Sequence, residues 1–258
     1  MRTRLGSLVA IVGAAIASGC ASQLPLEGGA STLVVSAVLD ALHDDQIVAV
    51  QRTYGGRPAP TPVDSATVTI TGPDGVVMTG VEAADSTIGR SYRVTLSAFH
   101  EQLVPGATYL LHVKLTTGEQ VTGSTTIPDA QPASAPAVTQ PFNAATDTLR
   151  LSWPVVQGAA SFEVRVQSAA GVYALFADTG AVLPGTLRSL EGKVAFAPGF
   201  DHQVTVAAVD ANYDRYYRSS SDEFSGAAVQ GNLTGAQGLF GSIVVVAWQS
   251  LRVTATGH

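Results

Sequence analysis

Short runs of alternating apolar and polar residues recur about every ten residues along most of this chain, and no long amphipathic helical pattern interrupts them. In Ala66-Thr67-Val68-Thr69-Ile70 the apolar side chains fall on one face and the threonines on the other. Tyr92, Val94 and Leu96 are separated in the same way from Ser91, Arg93 and Thr95. Tyr109, Leu111, Val113 and Leu115 make a longer inward row, with His112 and Lys114 opposite. A period of two belongs to a strand buried on one face, because successive side chains point to opposite sides. Turn chemistry separates the runs: Thr71-Gly72-Pro73-Asp74-Gly75 offers proline for a fixed φ and glycine for a positive one, and Thr117-Gly118-Glu119 joins the next hairpin. The expected fold class is all-β, with antiparallel β-sandwich architecture.

The prolines at 128, 132, 136 and 141, with small residues between them, divide the chain. Proline has no N–H to give a sheet ladder, so residues 128–141 read as an extended linker between two domains. This places one sandwich at 32–127 and a second at 142–258, which carries an extra C-terminal strand. A single cysteine, Cys20, excludes an intramolecular disulfide, so stability must come from apolar burial, for which 46% hydrophobic residues are ample.

Residues 1–19 have the three parts of a secretory signal: Arg2 and Arg4, an apolar run from Leu5 to Ile16, and the small residues Ala17-Ser18-Gly19 before Cys20. The apolar run is too short for a permanent span, which takes about 20 residues. With Cys20 directly behind it, the segment reads as a lipoprotein signal peptide, with Cys20 as the acylated first residue and 20–31 as the tether. Bacterial lipoproteins, which this segment resembles, carry several acyl chains on that cysteine, and Ala21 in place of an aspartate implies the outer membrane. Without residues 1–19 the chain has 239 residues, with 12 Lys+Arg against 20 Asp+Glu. That acidic balance argues against a nucleic-acid partner, whose phosphates need clustered cations.

Past the linker, Leu149-Arg150-Leu151-Ser152-Trp153, Ser161 to Val166 and His202 to Asp210 follow in an order that resembles the fibronectin type III fold. Trp153 stands in the place of its early core tryptophan, and Phe200 to His202 replace its usual penultimate-strand tyrosine. The first domain resembles an immunoglobulin-like or carboxypeptidase-regulatory-like sandwich, through Asp64 to Gly75 and Leu103 to Tyr109. Taken together, Cys20, Gln46 to Tyr54, Val63 to Gly75, Pro105 to Tyr109 and Gly238 to Ser242 resemble the uncharacterised lipoprotein family called domain of unknown function 4249. That resemblance implies an envelope protein often encoded beside TonB-dependent outer-membrane receptors, and it implies no activity.

The residues themselves offer little to a reaction. The histidines at 43, 100, 112, 202 and 258 show no zinc-binding spacing, and no Gly-x-Ser-x-Gly elbow is present. Ser219, Ser220 and Ser221 read as a polar loop. No catalytic residue, metal or cofactor is expected. Asp210, Asn212 and Asp214 alternate as calcium-loop ligands do, but lack the glycine and the later glutamate that complete such a loop. The candidate partner-binding residues are Tyr213, Arg215, Tyr216, Tyr217 and Arg218, in what reads as an inter-strand loop, because tyrosine and arginine are enriched at interaction hot spots. The competing reading folds Tyr213 or Tyr217 back over the core and pairs Asp214 with Arg215. Gly231 to Gly241 should form a sharp turn delivering Ile243 to Trp248 as a last strand that is covered on both faces or lies between the domains. The expected function is a lipid-anchored, non-catalytic binding module accessory to an outer-membrane receptor. The alternatives are a structural or adhesive envelope protein, and a hydrolase with a composite site.

Overall fold

The computed structural model describes residues 32–53, 66–85, 89–189, 192–220 and 228–254. The expected signal peptide, Cys20 and the tether lie outside them. In the first half the strands are β1 (Leu33–Asp40), β2 (Asp45–Arg52), β3 (Ala66–Thr71), β4 (Val77–Thr79), β5 (Val81–Asp85), β6 (Gly89–Thr95), β7 (Thr108–Leu115) and β8 (Gln120–Thr126). The second half contains β9 (Thr139–Asn143), β10 (Thr148–Ser152), β11 (Ser161–Ser168), β12 (Gly171–Ala177), β13 (Gly180–Pro184), β14 (Asp201–Val209), helix α1 (Ala211–Ser220) and β15 (Gln237–Thr254). The all-β class holds, with two sandwiches.

The alternating patterns translate directly into burial. Val68, Ile70, Tyr92, Val94, Tyr109, Leu111, Val113 and Leu115 are all buried in one core, between the sheet β4-β3-β7-β8 and the strands β1, β2 and β6. A second core, around Phe142, Leu151, Phe162, Val164, Phe196 and Val206, fills the space between the pair β10-β13 and the strands β11 and β14. Trp153 packs at its edge, its ring 5.2 Å from that of Phe162.

One strand belongs to both sandwiches. A continuous sheet runs β12-β11-β14-β15-β1-β2-β6-β5, so the 18-residue β15 joins the two halves. Its first part pairs in parallel with β1, from Val34 opposite Gln237 to Asp40 opposite Ile243. Its second part pairs with β14, with a register shift at Val206/Ala207. Phe240 and Val244 lie in the first core, and Leu251 and Val253 in the second. The C-terminal strand assigned to the second domain, and expected to be covered on both faces or to lie between the domains, joins the two and completes the first as well. Its apolar run is long because nearly every residue meets one layer or another.

The proline-rich segment is also corrected in part. It is extended, but it is pinned along the joint: Asp129 bridges Gln157, and the Ala133 N–H donates to the Val245 carbonyl at 2.7 Å. Its end becomes β9, which pairs in parallel with β15. Pro141 fits there because β9 has one ladder partner, so its missing N–H costs no bond on the open side.

The glycines before β15 reflect close approach. Gly238 has φ +117°, and a Cβ there would lie 1.9 Å from the Val35 carbonyl oxygen. Asn232 caps the incoming strand: its side-chain oxygen accepts the Phe240 N–H at 2.9 Å and its Nδ2 donates to the Phe240 carbonyl at 2.8 Å. The same Nδ2 reaches the Ser124 carbonyl of β8 at 3.1 Å, so one side chain ties segment 228–236 to both layers.

Candidate functional site

The stretch read as an inter-strand loop is helix α1. Asp210 begins it, with Oδ1 accepting the Tyr213 N–H at 2.9 Å, the geometry of an N-cap that satisfies one orphan donor of the first turn. Asp214 in the first turn and Arg218 in the last complement the helix dipole. They also pair with each other, Nε to Oδ1 at 2.6 Å, so the acid expected to pair with Arg215 is held by the residue one turn on. Ser219 and Ser220, read as a loop, close the final turn by donating to the carbonyls of Tyr216 and Tyr217.

The helix lies across the seam of the continuous sheet, on the face away from the cores. Tyr213 packs with Val209 of β14 and Leu239 of β15, flanked by Val38, Phe176, Tyr216 and Ile243. Gly241 lets the helix approach, since a Cβ there would already touch the Tyr213 Cβ at 3.2 Å. The helix is bound to both halves: Asn212 Nδ2 donates to the Ser124 carbonyl of β8, and the Asp214 carboxylate accepts from Ser161 of β11 at 2.5 Å.

The five candidate residues therefore divide. Tyr213 is buried, and its hydroxyl donates to Glu163 Oε2 at 2.5 Å. Glu163, itself buried, is held on its other oxygen by Arg165 at 2.7 Å. Burial, and then the Glu163 charge, push the Tyr213 phenol well above its ordinary range, so it remains protonated. Tyr216 is half-buried and meets Tyr217 edge-on at 5.5 Å. The outward residues are Arg215, Tyr217 and Arg218. The Tyr217 ring lies 4.4 Å from that of Tyr213, and the Arg218 guanidinium sits 5.2 Å from the centre of Phe176. Phe176 on β12 is the contributor that sequence reading missed. The Arg218 guanidinium on Phe176 and the Tyr217 ring on Tyr213 are exposed groups suited to recognition by stacking and directed hydrogen bonds, and Arg215 is exposed on the same helix.

The possible calcium ligands face different ways: Asp210 turns to β15 and β8, Asn212 to β8, and Asp214 to β11 and Arg218. A cleft of about 600 Å³ lies elsewhere, lined by Ser168, Tyr173, Arg188 and Lys193 among others, and none of the five candidates lines it.

No curated protein matches this chain in sequence. Among solved structures it is similar to the chicken CNTN1 FN1–FN3 domains, at 12% identity and a TM-score of 0.23, over 87% of this chain and 66% of that one. The family whose sequence pattern fits is described as Domain of unknown function (DUF4249), and it matches residues 23–218, from beyond Cys20 to the last turn of α1. With most of its length matched, the chain belongs to that family.

Proposed function

We propose that this protein is a non-catalytic, lipid-anchored module of the outer membrane that binds a receptor or transporter through Arg215, Tyr217 and Arg218. The observation that carries this reading is their placement. The three side chains project from a helix capped at Asp210 and bonded to both sandwiches, so a partner would meet a surface whose ordering cost is already met. The anchor rests on the order of Arg2, Arg4, the apolar run and Cys20. The acidic balance supports a protein partner over nucleic acid.

A second reading, a structural or adhesive envelope protein, draws support from β15, which makes the two sandwiches into one spacer. The engagement of Tyr213 and Asp214 within the fold also fits it. A pull-down of the lipidated protein from its own membranes in mild detergent separates the two, with Cys20→Ser as control. Binding-module function requires one barrel-type receptor that is retained by the parent and lost from an Arg215→Ala, Tyr217→Ala, Arg218→Ala triple variant of unchanged melting temperature. Recovery at background level, or equal recovery with the triple variant, refutes it.

A further inference from the structure

Three oxygen-to-oxygen contacts form a line through the joint between the sandwiches. Asp210 Oδ2 is 2.7 Å from Thr125 Oγ1, Thr125 Oγ1 is 3.1 Å from Ser242 Oγ, and Ser242 Oγ is 2.9 Å from the Thr126 carbonyl. Asp210 directly follows β14, Thr125 and Thr126 belong to β8, and Ser242 belongs to β15, so the line crosses from one sandwich to the other. Asp210, Thr125 and Ser242 are 4%, 2% and 0% exposed. Three contacts need three hydrogens, and the two hydroxyls supply two. A carbonyl supplies none. If Asp210 is ionised, one contact has no proton; if it is protonated, Asp210 donates to Thr125, Thr125 to Ser242, and Ser242 to the Thr126 carbonyl.

We propose that Asp210 is kept protonated and closes a hydrogen-bond chain across the joint, so that the joint is tight in acid and weakens as pH rises. Its other oxygen, Oδ1, accepts the N–H groups of Tyr213 and Ser242 in either state. Burial pushes the carboxyl above its ordinary range, against the opposing pull of its hydrogen bonds from Tyr213, Thr125, Ser242 and Asn212.

Few other charges face the site. β8 has no titratable residue, β15 has only Arg252 at its far end, and β14 has Asp201 and His202 at its opposite end. β1 ends at Asp40, whose carboxylate is taken up by the Leu42 N–H and His43. α1 brings Tyr213 and Asp214, and β11 brings Glu163 and Arg165; these bond to one another, to Ser161 and to Arg218. Segment 228–236 contributes the neutral Asn232.

A group whose proton affinity is raised by folding adds stability below its unfolded midpoint and loses it as pH rises through the folded one. Asp210→Asn places a permanent donor on Thr125 and keeps the acceptor for Tyr213 and Ser242. Melting of the full-length parent and of this variant should therefore diverge as pH rises above the ordinary midpoint of 3.8, with the parent losing about 3–5 °C more for each tenfold displacement of its proton affinity. Parallel curves, or an asparagine variant less stable at both ends, overturn the proposal. The parent alone gives a second readout. With ¹³C-labelled aspartate, the Asp210 carboxyl resonance should still be in its protonated position as pH rises above the ordinary midpoint of 3.8. A midpoint at or below 3.8 overturns the proposal even if the variant fails to fold.

Discussion

His202 is fully buried, and both of its ring nitrogens are committed. Nε2 accepts the Ala197 N–H at 3.1 Å, which leaves Nδ1 to donate to the Phe200 carbonyl at 3.2 Å, an arrangement only the neutral ring satisfies. Burial lowers its proton affinity below the ordinary 6.5. A group displaced in that direction contributes fully above 6.5 and loses its contribution as pH falls through the folded value. The parent should therefore lose more stability between about pH 7.5 and pH 5 than a His202→Gln variant does, read from chemical denaturation at each pH. If the two lose stability equally, folding does not displace the proton affinity of the ring. The resemblance to the fibronectin type III pattern set Phe200 to His202 where that pattern has a tyrosine. That the ring ties the start of β14 to segment 197–200 was hidden, because both partners are backbone groups without a side-chain signature.

At the scale of elements, the legible parts were those whose signal is local. The strands of the first core could be read from alternation because each has one dry face. Helix α1 was missed because its evidence was split: Tyr213, Tyr216 and Tyr217 stand at helical spacing, and Asp210 and Asp214 with Arg218 are cap and dipole signals, but Asp210, Asn212 and Asp214 also alternate. The helix is held by contacts with β8, β11 and β15 that no local window contains. The turn into β15 was legible as glycine-rich, whereas the reason for each glycine lies across the sheet. At Gly238 the backbone φ and the Val35 carbonyl both exclude a side chain. Gly238→Ala should cost about 4 kcal/mol or more, or prevent folding, since the obstructing atom is backbone and cannot swing away. A Gly238→Ala protein melting within a degree or two of the parent would mean that β15 does not meet β1 in this register.

For the whole molecule, the decisive element is β15. Ending the chain at Gln230 removes Phe240, Val244, Leu251 and Val253 from the two cores and Leu239 from beneath α1. At about 1.5–3 kcal/mol for each fully buried side chain, that loss is comparable to the roughly 5–15 kcal/mol that holds a typical domain together. The truncated chain should lose cooperative folding in both halves, and the full chain should melt in one transition. An unchanged melting temperature after truncation, or two resolved transitions in the full chain, would show that the sandwiches are independent. The strand shared by two cores also sets an order in time. β1 is made before every other described strand and its parallel neighbour β15 after all of them, so the N-terminal sandwich waits for β15 before its sheet can close. Loop closure over such a separation is slow, and until it happens the edge of β1 is open to any other strand. A stalled or clipped product would carry two unfinished sandwiches instead of one finished one.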